Sequence, residues 1–79
     1  MAESTTRAAA GYITVVQESR FRLLTDSGQG LLLTLGHQAD VQAEDLCRFL
    51  DAHTHVLVEY AGEPNTDSSV VYKVRPIRA

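Results

Sequence analysis

One cysteine in 79 residues excludes an internal disulfide and the recurring paired ligands of a zinc framework. No apolar run approaches the roughly 20 residues that a helix needs to cross a bilayer, so no membrane partner is expected. The sequence also lacks a glycine-rich phosphate loop, a nucleophile elbow and an HExxH pair, and so reads as a non-enzyme with no cofactor. Positive charge is short as well. Seven Lys and Arg against ten Asp and Glu leave a net charge of −3, which opposes non-specific binding to nucleic acid, because that binding is driven by cations displacing phosphate counterions. Any such role must come from where the cations sit.

What is present fits one small domain. Hydrophobic residues make up 44% and charged residues 22%, an ordinary globular balance, and a chain this short supports a single core. Residues 1–10, MAESTTRAAA, mix an acid and an arginine with small residues and carry no secretion-signal core. They are expected to form a disordered tail before one domain over 11–79, with the cytoplasm as the default compartment.

The rest of the chain alternates strand-like runs with one helix-like run. GYITVVQ over 11–17 is rich in β-branched residues, with Ile13 and Val15 inward and Tyr12, Thr14 and Val16 outward. Over 20–25, Phe21, Leu23 and Thr25 face the core and Arg20, Arg22 and Leu24 face away. A glycine-containing turn at 26–30 leads to LLLTL, where Leu31, Leu33 and Leu35 are inward and Leu32 and Thr34 outward.

VQAEDLCRFLDA over 41–52 then changes the period to 3.6, placing Ala43, Leu46, Cys47 and Leu50 on one apolar stripe. Asp40 is the expected N-cap, with Glu44 and Asp45 near the positive end of the helix dipole. A fourth strand turns Val56, Val58 and Tyr60 inward. A polar loop over 61–69 precedes the last strand, 70–75, with Val70, Tyr72 and Val74 inward and Val71, Lys73 and Arg75 outward.

Three strands, a helix and two strands, β-β-β-α-β-β, form an all-β barrel with one helix in this reading, and that order resembles the OB-fold, in particular its small bacterial domains. The resemblance covers about residues 11–77. It implies a five-stranded Greek-key barrel plugged by the helix, with ligands bound across strands two and three. An SH3-like or Sm-like barrel is the competing architecture, although an Sm helix would precede the strands.

In an OB-like barrel strand five lies beside strand three, so Arg20, Arg22, Thr34, Lys73 and Arg75 become one outward basic face. Single-stranded nucleic acid is the expected ligand of that face. Its weak point is aromatic, because base stacking needs exposed rings and only Tyr12 reads as outward. The alternative is a protein partner or a homodimer, since Leu24, Leu32, Leu57, Val71 and Ile77 all fall on the outward phase. Cys47, His53 and His55, with His37 as a fourth, are the candidate metal ligands, but Cys47 reads as a small core residue on the helix stripe and the spacing matches no zinc framework with paired ligands, so no metal site is expected.

Overall fold

In the computed structural model, which describes residues 6–63 and 69–77, five strands form one antiparallel sheet accompanied by a single helix. They are β1 (Thr6–Gln17), β2 (Arg20–Thr25), β3 (Gly30–Thr34), α1 (Ala43–Asp51), β4 (His55–Ala61) and β5 (Val70–Pro76). The order across the sheet is β3-β2-β1-β4-β5. The sheet does not close into a barrel. At its open side, Leu35, the residue after β3, meets Val71 of β5 in one isolated parallel bridge.

β1 is the centre of the sheet and is divided between two neighbours. Residues from Thr6 to Tyr12 pair with β4, and residues from Gly11 to Gln17 pair with β2. Only Gly11 and Tyr12 pair on both sides. Gly11 is buried, and a Cβ there would run into the carbonyl of Leu24 and come within 2.7 Å of Thr25 Cα. A missing side chain therefore lets β2 close on β1 where the strand changes partner.

The first correction lies at the start of β1. Thr6 to Ala10, expected within a disordered tail, are strand residues paired with β4 from Ala61 to Leu57. Residues 1–5 of that expected tail lie outside the described residues, as do residues 64–68 of the loop expected over 61–69.

Two one-residue bulges account for the corrections to the inward and outward faces. Ile13 pairs with Leu23 but Val15 pairs with Arg22, so Thr14 is an extra residue on β1. Val15, expected in the core, is consequently 48% exposed, while Val16 packs against the core. On β5 the register runs from Glu59 opposite Lys73 to Tyr60 opposite Val71, which leaves Tyr72 unmatched. Val71, expected outside, is fully buried, and Tyr72, expected inside, is 44% exposed. Each bulge flips the phase beyond it, because side chains alternate with a period of two.

The core otherwise follows the alternation. Ile13, Phe21, Leu23, Leu31, Leu33, Val56, Val58, Tyr60 and Val74 are buried with Leu46 of α1. Leu35 and Leu50, placed in the same core by the sequence, pack half-buried against it, and Val70 is half-buried.

α1 turns Leu46, Phe49 and Leu50 to the core, and Cys47, expected on the buried stripe, is exposed. The stripe lies one step around the helix, because burying the Phe49 ring removes far more apolar surface from water than burying a thiol. Its N-cap is Gln42, whose amide donates to Asp45 Oδ2 at 2.9 Å. Asp40, the expected cap, is committed elsewhere: its carboxylate accepts from Val74 N at 3.3 Å, and its amide donates to Tyr72 O at 3.1 Å. With Gly36 N donating to Val71 O at 3.0 Å, the link from β3 to α1 covers the outer edge of β5.

α1 ends without glycine. His53 N donates to Leu50 O and Thr54 N to Phe49 O, a Schellman pattern that places His53 at φ 50°. The left-handed region is costly for a residue with a Cβ. His53→Gly should therefore raise the unfolding free energy by about 0.5–1 kcal/mol. Gly11→Ala should lower it by about 1–3 kcal/mol through overpacking. Urea denaturation checks both, and a Gly11→Ala midpoint equal to the parent's would show that β2 can give way.

Candidate functional site

The outward side chains of β1, β2 and β3 form a surface whose rows follow from the strand register. In one row Gly30 of β3, Leu24 of β2, Tyr12 of β1 and His55 of β4 are successive cross-strand neighbours. Tyr12 is 43% exposed. Its ring stacks on that of His55 with centroids 5.0 Å apart and planes inclined by 24°, within the range of offset aromatic pairs. His55 is anchored in turn: its Nε2 lies 3.0 Å from both carboxylate oxygens of Asp26. Asp26 is fixed by the turn it begins, since its amide donates to Ala10 O at 3.0 Å.

The next row contains Leu32, Arg22 and Val15, all exposed. Arg22 reaches back toward the tyrosine row. A Cβ added at Gly30 would stand 2.8 Å from Arg22 Nη2, so the guanidinium lies over Gly30 in line with Leu24 and Tyr12. Absence of a side chain at Gly30 leaves the cation flat against the sheet.

Of the residues singled out from the sequence, Arg20 and Thr34 are directly opposite each other one row further on, and with Arg22 they share this surface. Lys73 and Arg75 are on β5, separated from β2 by β1 and β4 in sheet order. Glu59 is the cross-strand partner of Lys73, and its Oε2 lies 3.6 Å from Arg75 Nη2. That charge offsets part of the positive potential of β5.

The sequence reading missed the Asp26, His55 and Tyr12 arrangement. Asp26 and His55 are 29 positions apart, and only the pairing of β1 with both β2 and β4 brings them to one level. The hydroxyls of Ser27, next to Asp26, and Thr25 are hydrogen-bonded to each other at 3.0 Å. Among the described residues no three metal-binding side chains converge, and no helix is long and apolar enough to cross a membrane.

Comparison with protein-family models, curated proteins and solved structures finds no match to this chain.

A double-mutant cycle with Asp26→Ala and His55→Ala should return a coupling of about 0.5–1.5 kcal/mol, the net range for one hydrogen bond. A coupling of zero would mean that Asp26 does not hold the imidazole against Tyr12.

Proposed function

We propose that the chain is a non-enzymatic binding module that takes single-stranded nucleic acid on the outer face of β1, β2 and β3. The observation that carries this reading is the exposed Tyr12 ring, backed by His55 and set in one row with Leu24 and the Arg22 guanidinium. A base can stack on such a ring, and stacking contributes about 1–3 kcal/mol per base without demanding a sequence. Arg20 and Arg22 supply positive charge beside it for the phosphates.

An OB-like barrel fits the same reading. Joining β3 to β5 in the observed order would complete a five-stranded ring, and the Leu35 to Val71 bridge with the Gly36 to Val71 hydrogen bond marks where the two meet. The exposed free thiol of Cys47 suits a reducing compartment such as the cytoplasm.

Charge limits the mode of binding. With a net charge of −3, attraction comes from the local arginines, and each cation that neutralises a phosphate on a single strand contributes about 0.7 to the slope of log K against log salt. Titrating a fluorescein-labelled oligothymidine should give a slope magnitude of about 1.4 if Arg20 and Arg22 act alone, and about 2.8 if Lys73 and Arg75 join them. Tyr12→Ala should weaken binding by roughly tenfold or more, and Arg22→Ala should lower the slope magnitude by about 0.7.

Protein association is the second reading, favoured by Val15, Leu24 and Leu32, each between 43% and 48% exposed on that face. Failure to bind the oligonucleotide at low salt, with a sedimentation coefficient that rises with protein concentration, would put association of two copies ahead.

A further inference from the structure

A second surface lies at the edge of the sheet. Ala10 O accepts from Asp26 N, and Tyr12 faces Leu24 in the β1–β2 ladder, so alternate residues of β1 direct their amides and carbonyls away from β4. Ala8 and Thr6 continue that series. β2 has already turned away at Thr25, so the ladder stops short of them. Among the described residues no hydrogen bond takes the amide or carbonyl of Ala8 on that side.

This edge of β1 opens on a shallow groove of about 480 Å³. Ala9, Leu31 and Tyr60 line its apolar part, and Arg7, Asp26 and Gln29 its polar part. The consecutive alanines at positions 8–10 project no bulk that would hold a neighbouring backbone away.

We propose that the edge of β1 from Thr6 to Ala10 binds an extended segment of a partner polypeptide by strand addition. The unpaired ladder defines the occupant. Amide and carbonyl pairs on alternate residues of a strand are matched in spacing by another extended backbone, which takes its affinity from main-chain hydrogen bonds and its selectivity from alternate side-chain pockets. The partner strand lies where β2 would have continued, with its small apolar side chains over Ala9, Leu31 and Tyr60. An acidic side chain near Arg7 competes with Glu63, whose pairing with Arg7 at 3.8 Å is solvent-exposed. This site is separate from the outer face proposed for nucleic acid: it uses backbone at the sheet edge, whereas that face uses side chains above the sheet.

The test uses the full chain, isotopically labelled for NMR, and a capped hexapeptide of alternating threonine and valine, with a fully N-methylated version as the control. Titration of the hexapeptide to about 1 mM should shift the amides of Thr6 and Ala8 and slow their hydrogen exchange. Ala8→Pro removes a donor that the β4 ladder does not use, and proline is tolerated on such an edge. That variant should keep the β2 to β5 spectrum and bind about tenfold or more weakly, as expected for lost backbone hydrogen bonds. N-methylation of the peptide should have the same effect on the unaltered protein, so the test survives an Ala8→Pro variant that fails to fold. Equal binding by the methylated peptide, shifts centred on Tyr12 and Leu24, or no shift at Thr6 and Ala8 would each overturn the proposal.

Discussion

The close approach of β2 to β1 at Gly11 is the constraint on which the other features of the sheet depend. β1 has twelve residues, too long to run straight beside one short neighbour, and it is shared in two halves that overlap only at Gly11 and Tyr12. At that overlap the Leu24 carbonyl occupies the position a Cβ would need. The bare backbone lets the sheet bend there, so that β2 with β3 and β4 with β5 can enclose a common core. Leu46 closes that core from the helix. It is fully buried although α1 is only nine residues long, and a helix of that length is held by packing rather than by its own propensity.

Alternation described the strands wherever the ladders are regular. Phe21 and Leu23, Leu31 and Leu33, and Val56, Val58 and Tyr60 are all inside, as a period of two requires. It failed past Ile13 on β1 and at the start of β5, where a bulge adds one residue. Neither bulge was legible, because Thr14, Val15 and Val16, like Val70, Val71 and Tyr72, are all strand formers. A run of such residues fixes strand identity but leaves its facing open, and the facing is decided by partner strands far away in sequence. The helix posed the same difficulty in another form. Leu46 and Leu50 defined the stripe, but Cys47 and Phe49 lie on opposite sides of it, and the larger ring took the buried side.

The outer face was legible in outline. Arg20, Arg22 and Thr34 have the outward phase on two strands joined by a turn, so their common surface followed from local pattern and hairpin pairing alone. Lys73 and Arg75 also have that phase, but the position of Glu59 between them is a property of the β4–β5 register. Tyr12 was legible as exposed yet not as part of this face, because its adjacency to Leu24 needs the register and its stack on His55 needs the Asp26 turn. Contacts between elements distant in sequence decided those details, and composition carries no record of them.

Both proposed surfaces arise from the division of β1 at Gly11. Where the strand leaves β4 for β2, the second half carries Tyr12 and Val15 into two adjacent rows with residues of β2 and β3. The half it leaves behind has β4 on one side and, among the described residues, no strand on the other, because β2 turns at Thr25 before reaching Ala8. A longer β2 would cover that edge and abolish the groove; a shorter one would remove Leu24 from the flank of Tyr12 and leave the ring with His55 alone. The end of β2 is set by the turn beyond Thr25, where Thr25 N donates to Gln29 O at 2.8 Å and Asp26 N to Ala10 O at 3.0 Å. Asp26 therefore acts on both surfaces: its amide makes the last bond to β1 before the chain turns away from the groove, and its carboxylate holds the imidazole against the exposed tyrosine.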